Sequence, residues 1–399
     1  MIQFRSITMP TVTIGFFPRE QFSLAAESLQ RIFDCTHIPF DLVVIDCNTP
    51  KIYWKQIAHV LEKHNNVRVL HTDDYLMPNQ SRNLVIQESN ANNDFLCFIE
   101  SDVLVEDGWL SYLIQACEDY PADVAIPRII EGRLGATQVH WDPNLGQVHT
   151  VQTMEGIKLE ILPPTGDQQL DQGTHRRSIE LSGEAHCQLY RRSVFDRVTP
   201  FDEDIVYLDW FDSTMALYDA KIPIVFEPKA TVHFWHPFPP DTHDLDFFFR
   251  RWNLQQANQE FDHVQKKWNL VRITADLFFV EERNRIGHLY DFQKELEALS
   301  LGQKPFILVD QDCLNGNKIT EGFQTIPFTE LNGQYWGVPA DDDMAIREFE
   351  RLRQAGVSAI VFLWTTFWWL EHFARFHDYL RKNFSCILEN DRIIVFNLR

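Results

Sequence analysis

The 399-residue sequence predicts an α/β protein with a mostly parallel sheet, followed by a helical extension and a second, smaller α/β domain. Three features predict this order. Apolar, β-rich runs alternate with amphipathic segments from residue 11 to residue 100. Helical spacing then prevails over 241–300, and a new series of strands and helices fills 301–399. The predicted domains are therefore 1–240, 241–300 and 301–399.

The first domain begins with four β-rich runs separated by three segments of helical spacing. The strands are predicted at 11–17, 41–50, 66–72 and 94–100. The helices are predicted at 22–33, 52–64 and 81–90. Helical crossovers between strands indicate a parallel sheet, and the ligands of such sheets bind at the carboxyl ends of the strands. Asp46 and the segment Glu100–Asp102 lie at the ends of two of these strands, so we expect their carboxylates at the same edge.

Charge and hydropathy exclude several classes of function. The net charge is −21, from 36 basic and 57 acidic residues, whereas a nucleic-acid binder needs a basic face. The N-terminus lacks the pattern of a signal peptide, and the most apolar stretch, 358–370, is too short to span a bilayer. Seven scattered cysteines without a CxxC pair fit reduced thiols. We therefore expect a cytoplasmic protein with no transmembrane segment and no nucleic-acid partner.

The predicted sheet edge lacks the glycine-rich loops that hold phosphates. The sequence has no GxGxxG after the first strand and no GxxxxGK[ST], so neither Rossmann dinucleotide binding nor P-loop chemistry is supported. The carboxylates of Glu100 and Asp102 could instead bind phosphate through Mg²⁺ or Mn²⁺, because these cations take oxygen ligands and share phosphate oxygens. An acidic loop that merely flanks a strand is the alternative interpretation.

Four segments resemble the nucleotide-binding half of the GT-A glycosyltransferases, and most of all the inverting family 2: TVTIGFFPRE, DLVVIDCNTP, NQSRN and FIESDV. The resemblance covers residues 10–240 and implies a GT-A, Rossmann-like core. Family members end the fourth strand with Asp-x-Asp, where this sequence has Glu-Ser-Asp. The resemblance implies donor contacts from Arg19, Asp46, Asn79, Arg82, Glu100 and Ser101. It implies metal ligation by Asp102, Glu100 and His233.

The same resemblance places the catalytic acids further along the chain. The segment LSGEAHCQLYRRSVFDRVTPFDEDI, residues 181–205, resembles the Gly-rich region of the family, and LDWFDS follows it. Asp209 and Asp212 match an acidic cluster that opens a helix, and a spacing of three puts them on one face. One of them would take the proton of the acceptor hydroxyl, with Asp209 as the first choice. Trp210 stands where the family has a second acid, and helix capping is the alternative role of the two aspartates.

The resemblance implies a metal-dependent, inverting glycosyltransferase of the hexosyltransferase type, acting in polysaccharide or glycoconjugate biosynthesis. Its donor would be a UDP- or GDP-linked sugar, and its acceptor a saccharide, a lipid-linked group or a small molecule. One alternative is a sugar-phosphate nucleotidyltransferase, although TIGFFPREQF lacks the Gly-rich basic loop of that class. Another is a degenerate domain that acts as a binding or scaffold module. For 301–399 we expect acceptor recognition or self-association.

Overall fold

The computed structural model describes residues 10–19, 21–141, 148–153, 156–161, 178–180, 184–199, 201–235, 240–270, 278–301, 304–314, 320 and 322–398. The chain divides into two compact units, residues 1–280 and 281–399. None of the helices in these described segments is long and apolar enough to cross a membrane.

The first unit contains one mixed sheet and a separate hairpin. The sheet strands are β1 (Val12–Phe17), β2 (Asp41–Cys47), β3 (Val67–Thr72), β4 (Phe95–Glu100), β5 (Val103–Val105), β6 (Val124–Glu131), β7 (Gln138–Trp141), β10 (Ser178–Glu180), β11 (Cys187–Arg191) and β12 (Ile224–Phe234). The hairpin pairs β8 (Val148–Thr153) with β9 (Gly156–Ile161). The sheet order is β10-β12-β6-β11-β4-β1-β2-β3, with β5 beside β12 and β7 beside β6.

Seven α-helices lie within the described residues of the first unit. They are α1 (Ala25–Cys35), α2 (Lys51–Leu61), α3 (Pro78–Glu88), α4 (Trp109–Asp119), α5 (Asp209–Asp219), α6 (Leu245–Arg251) and α7 (Leu254–Lys267) among the residues that the structure describes. Side chains of α1 and α4 pack on one face of the sheet, and side chains of α3 and α5 pack on the other. Apolar residues on both faces of the central strands explain their continuous hydrophobic runs.

The four predicted N-terminal strands are confirmed as β1 to β4, and they pair in parallel in the order β4-β1-β2-β3. Phe17 of β1 pairs with Glu100 of β4, while Phe16 pairs with Val44 of β2. Asp46 lies two residues beyond Val44, so the expected meeting of Asp46 and Glu100 at one edge is confirmed. Because one strand separates them, about 10 Å of sheet lies between the two positions.

Gly15 on β1 lets α3 approach the sheet closely. A Cβ atom at this position would lie 2.5 Å from Cγ1 of Val85, which no real contact allows. The missing side chain therefore fixes the height of α3 above the sheet. This matters for the site because Asn79 and Arg82 lie on α3.

The second unit has a five-stranded sheet of order β14-β13-β17-β19-β18 and a small hairpin, β15-β16. Its strands are β13 (Phe306–Val309), β14 (Thr325–Pro327), β15 (Glu330–Leu331), β16 (Gln334–Tyr335), β17 (Ala359–Leu363), β18 (Ser385–Glu389) and β19 (Ile393–Asn397). Its helices are α8 (Phe278–Ala298), α9 (Asp342–Gln354), α10 (Trp368–His372) and α11 (Ala374–Asn383), apart from the first turn of α8. The predicted C-terminal α/β domain is confirmed.

The division between the two units differs from the boundary that the sequence predicts at residue 300. The sequence predicts a helical extension or linker over 241–300, but Leu289, Phe292 and Leu296 of α8 are buried in one cluster with residues of β13 and β17. The apolar face of α8 therefore belongs to the core of the second unit, which begins near residue 281.

Candidate active site

Polar side chains replace the apolar runs where β1, β2 and β4 end. Asp46, the next-to-last residue of β2, is nearly buried and lies 2.8 Å from Nδ1 of His71 on β3. The hydrogen bond and the negative charge of Asp46 raise the pKa of His71. The amide of Thr49 also donates to the Asp46 carboxylate, at 3.3 Å. The carboxylate is thus held in place from two sides.

A cavity of about 770 Å³ opens beside Asp46. Its walls include the carboxylate of Asp46, the imidazoles of His71 and His243, and the rings of Trp54 and Tyr75. Flat aromatic surfaces together with a few fixed polar groups are typical of sites for small organic ligands. This arrangement can hold a planar, heteroaromatic group that also carries hydroxyls.

Glu100 is fully buried at the end of β4 and is the centre of an ion-pair network. Its carboxylate accepts from Nη1 of Arg19 at 2.8 Å and from Nη2 of Arg82 at 3.1 Å. Nδ1 of His186 lies 2.6 Å from its second oxygen. Burial alone would raise the pKa of Glu100, but Arg19, His186 and Arg82 outweigh it and hold the pKa below its usual range. Glu100 is therefore ionised.

Asp209, the first residue of α5, is a second anchor for the same guanidinium groups. Its carboxylate accepts from Arg82 at 2.7 Å and lies 3.6 Å from Arg19 and 3.8 Å from Arg251. Its side chain is fully buried. Burial opposes ionisation, yet the three arginines keep the pKa of Asp209 below its usual value. Arg19 and Arg82 thus lie between two carboxylates, Glu100 and Asp209.

Asp212 lies one turn further along α5 and has different partners. Nζ of Lys267 lies 2.8 Å from its carboxylate, and Nε1 of Trp268 donates to it at 2.8 Å. Burial raises the pKa of Asp212 in spite of these two bonds. The two predicted catalytic acids therefore share a helix, but the pKa of Asp209 is lowered and the pKa of Asp212 is raised.

Three buried side chains could together hold a metal ion: Glu100, Asp102 and His186. One ligand atom from each lies within 4.8 Å of the others. Two carboxylates and an imidazole form a donor set that suits Mn²⁺ and similar divalent cations. The structure therefore brings together two of the predicted metal ligands, Asp102 and Glu100. The third predicted ligand, His233, instead lies 2.8 Å from the carboxylate of Glu106.

A second group, Asp202, Asp204 and His263, also has metal-ligand spacing. Nζ of Lys267 and Nε2 of His263 lie 2.8 Å and 2.9 Å from the Asp202 carboxylate. An ammonium group already supplies the positive charge there, so this group is an ion-pair cluster of the α5–α7 region.

Two further predicted donor residues, Ser101 and Asn79, also use their polar atoms within the protein. The Ser101 hydroxyl donates to the carbonyl of Gln21 at 2.7 Å. The Asn79 amide donates to the carbonyl of Asp202 at 2.8 Å, and its oxygen accepts from Arg82 at 2.9 Å. Ser101 thus fixes the loop after β1, and Asn79 orients Arg82 and ties α3 to the segment before α5.

Sequence reasoning did not include His186 among the metal ligands. Strand β11 runs antiparallel to β4, with Cys187 opposite Ile99, so His186 falls opposite Glu100. The backbone confirms this position, since the Glu100 amide donates to the His186 carbonyl at 3.2 Å. The position of His186 directly before a strand is a sequence signal for a residue at the edge of the sheet. Placing His186 beside Glu100 also requires the pairing of that strand with β4, which the sequence does not give.

Glu260 on α7 is another residue that sequence reasoning missed. Its buried carboxylate accepts from the amides of Val206 and Tyr207, each at 2.8 Å, and from that of Leu208. These three amides directly precede Asp209, so Glu260 fixes the start of α5. A glutamate within an amphipathic helix carries no sequence signal for such a role.

The first unit has the mixed α/β sheet of a GT-A, Rossmann-like fold. Residues 19–199, a little under half of the chain, match the family described as Glycosyl transferase family 2. This match lies within the first unit and agrees with the resemblance that the motifs carry. Among curated proteins, no match to the chain was found.

Solved structures with low sequence identity resemble the chain. A crystal structure of GalNAc-T7 with UDP, GalNAc and Mn²⁺ is 13% identical, with 70% of this chain and 55% of that chain covered and a TM-score of 0.46. Staphylococcus aureus TarS 1–349 with UDP-GlcNAc is 13% identical, with coverages of 65% and 73% and a TM-score of 0.39. A further TarS structure is 15% identical, with coverages of 66% and 43% and a TM-score of 0.39. The chain thus spans about half the length of the GalNAc-T7 chain.

Proposed function

We propose that the first unit transfers a sugar from a nucleoside-diphosphate donor to an acceptor hydroxyl, with inversion and with the help of a divalent cation. The observation that carries this proposal is the convergence of Glu100, Asp102 and His186 at the edge that also holds Asp46 and its cavity. The family match over 19–199 supports the reaction class. A UDP- or GDP-linked donor and a saccharide, lipid-linked or small-molecule acceptor fit this class.

The cavity beside Asp46 would take the nucleoside of the donor. Trp54 and Tyr75 offer faces for a base, and the Asp46 carboxylate accepts hydrogen bonds from hydroxyls or base N–H groups. Arg19 and Arg82 lie at the adjoining strand end, where a diphosphate would follow. The chain has a net charge of −21, and both guanidinium groups already pair with Glu100 and Asp209. A bound cation would add the positive charge that makes the site locally receptive to an anion.

Asp102 and His186 are the best-suited ligands for the cation, with Glu100 completing the group. Glu100 already bonds Arg19 and Arg82, so part of its charge is neutralised. His186 is buried, and burial lowers its pKa, which favours the neutral imidazole that binds metals. A bound divalent cation would supply positive charge that stabilises the departing diphosphate.

We also propose that an acid of α5 takes the proton of the acceptor. Asp209, the first choice from the sequence, is held by three arginines that lower its pKa and so weaken it as a base. Asp212 has a raised pKa, which brings it closer to the range of an effective general base. We therefore rank Asp212 first and assign to Asp209 the role of holding Arg19 and Arg82.

The cation site is tested by Asp102→Ala. We expect the parent protein to bind UDP or GDP more tightly with Mn²⁺ than in EDTA, because the cation bridges protein and diphosphate. The variant should lose this difference while it keeps the circular dichroism spectrum of the parent. Isothermal titration calorimetry measures both affinities. Glu106→Ala, which removes the partner of His233, is the matched control. If Asp102→Ala kept the full Mn²⁺ effect, the proposed metal group would be wrong.

The general base is tested by comparing Asp212→Asn with Asp209→Asn. Release of the nucleoside diphosphate from a panel of sugar nucleotides is the measurement. We expect Asp212→Asn to slow release by roughly 10²–10⁴ with unchanged donor affinity, since an amide keeps the shape but cannot take a proton. Asp209→Asn should alter donor affinity as well, because it disturbs Arg19 and Arg82. A larger rate loss in Asp209→Asn, with intact donor affinity, would restore Asp209 as the base.

A binding module without turnover is the second candidate function. The observation that favours it is the pairing of both α5 acids with cationic groups, together with Trp210 in the position of a usual acid. Donor binding that depends on Asp102, but with no release from any sugar nucleotide, would identify the first unit as such a module.

A further inference from the structure

The second unit has a groove of its own at the carboxyl end of its parallel strands. β13 lies between β14 and β17, and both neighbours run parallel to it. After β13 the chain forms β14 on one side of β13, and it later forms β17 on the other side. Ligands of open α/β sheets bind at such a switch point. A cavity of about 560 Å³ lies there, and its lining includes Asp310, which directly follows β13.

The backbone after β13 takes an uncommon conformation. Gln311 and Asp312 have positive φ angles of 54° and 66°, which residues with a Cβ atom rarely adopt. The buried Asp310 carboxylate holds this turn by accepting from the amides of Asp312 and Leu314, at 3.0 Å and 3.1 Å. Asp310 and Asp312, on either side of Gln311 in the sequence, both line the groove.

Two aromatic side chains meet at Gln311. Nε1 of Trp368 donates to the Gln311 side-chain oxygen at 3.4 Å, and the Tyr335 hydroxyl also hydrogen-bonds with the Gln311 side chain. Tyr335 lines the groove, and 41% of the Trp368 surface is exposed. Trp336, next in the chain, exposes 66% of its surface, which is unusual for so large an apolar residue. One aromatic ring, that of Tyr335, therefore lines the groove, and Gln311 connects it to the exposed Trp368.

The charges of the groove restrict the class of ligand. Its described lining residues include two carboxylates, Asp310 and Asp312, and no Lys, Arg or His. A phosphate or carboxylate group would meet like charge there. Hydroxyl groups, in contrast, can donate to Asp312 and to the amide oxygen of Gln334. The C–H faces of a sugar ring can pack on Tyr335, and the volume lies in the range of small-ligand sites.

We propose that this groove binds an uncharged saccharide, with Tyr335 as the stacking surface and Asp312 and Gln334 as hydrogen-bond acceptors. All of these residues lie in the second unit, so the site differs from the donor site at Glu100 and Asp102. It requires neither nucleotide nor cation. The proposal goes beyond the transferase function and would hold if the first unit transferred no sugar.

The test measures saccharide binding by the intact protein in EDTA and without nucleotide, which keeps the cation site empty. The probes are glucose, galactose, N-acetylglucosamine and disaccharides of these sugars, with glucuronate and glucose 1-phosphate as charged counterparts. Saturation-transfer NMR detects weak binding, and calorimetry gives the dissociation constant. We expect at least one neutral sugar to bind and both charged sugars to bind at least about tenfold more weakly, a difference of ~1.4 kcal/mol.

Variants locate the bound sugar. Tyr335→Ala and Asp312→Asn should each weaken binding by about tenfold or more, since each removes one of the proposed contacts. Asp312 is exposed, so its replacement should not disturb folding, and thermal unfolding checks this for both variants. Tyr218→Ala, at an aromatic residue of α5 that is 54% exposed, is the matched control and should bind like the parent.

Three outcomes would overturn the proposal. One is that no neutral saccharide shows binding when it is present at about 10 mM, which would mean a dissociation constant weaker than about 10 mM. Another is that both groove variants bind as tightly as the parent, which would place the sugar elsewhere. The third is that charged sugars bind as well as neutral ones, which would contradict the charge argument.

Discussion

Asp244 is a single residue whose environment makes the stability of the first unit depend on pH. It lies just before α6 and is fully buried, and its carboxylate accepts from the Phe22 amide at 2.7 Å. This bond joins α6 to the loop that follows Arg19. Burial raises the pKa of Asp244 from 3.8 to about 6, and the nearby charge of Asp241 adds to the effect while the bonds from Phe22 and Ser23 oppose it.

The direction of the pH effect follows from this raised pKa. Between pH 3.8 and about pH 6 the folded protein keeps a proton on Asp244 that the unfolded chain has lost. The contribution of Asp244 to stability is therefore complete below pH 3.8 and is lost as the pH rises through 6. We expect a loss of about 3 kcal/mol relative to Asp244→Asn, whose amide does not titrate but still accepts from Phe22.

Urea unfolding at pH 4, 5, 6 and 7 measures this difference. Subtracting the variant from the parent at each pH removes the contributions of all other titrating groups. A difference that stays constant over this range would show that Asp244 titrates normally and is not held in a buried, protonated state.

For single residues, the sequence predicts which ones share the edge where parallel strands end. Asp46, Glu100 and Asp102 are expected at one edge because the carboxyl ends of parallel strands meet, and the strand pairing confirms that edge. The position of His186 could not be predicted in this way, because His186 directly precedes a distant strand that pairs antiparallel with β4. Its contact with Glu100 depends on a pairing that no local pattern specifies.

At the scale of elements, helix α5 shows what local patterns can and cannot predict. The resemblance to family 2 implies a helix that opens at Asp209, and the shared face of Asp209 and Asp212 follows from their spacing. Their partners do not. Arg82 reaches Asp209 from α3, whereas Lys267 reaches Asp212 from the end of α7. Opposite pKa shifts on one helix therefore arise from the packing of other elements, which only the folded structure shows.

The loop before α5 illustrates the same limit. Three successive amides, those of Val206, Tyr207 and Leu208, converge on the single carboxylate of Glu260. Backbone N–H groups at a helix start need acceptors, and negative charge is stabilised there. The sequence predicts that such an acceptor must exist but cannot say that it comes from a residue some fifty positions later.

At the scale of the whole molecule, the two units differ in the chemistry that each presents. The first unit concentrates buried arginines and carboxylates where β1 and β4 end, although the chain as a whole is acidic. The groove of the second unit has two carboxylates and the ring of Tyr335 among its described lining residues, without a basic group. An anionic donor and an uncharged saccharide therefore suit different units, and separating the units should separate the two binding activities.

The boundary between the units predicts how truncated chains behave. All candidate donor and metal residues precede residue 280, so a fragment 1–277 should fold and bind a nucleoside diphosphate with Mn²⁺ within about threefold of the full chain, less than ~1 kcal/mol. A fragment 1–300 retains α8 but lacks the strands on which Leu289, Phe292 and Leu296 pack, so its exposed apolar face should cause self-association.

Size-exclusion chromatography with light scattering compares the two fragments, and titration with UDP and Mn²⁺ follows for those that stay monodisperse. An aggregated 1–277 fragment, or a 1–300 fragment that behaves equally well, would show that the division near residue 281 is not a boundary of independent folding.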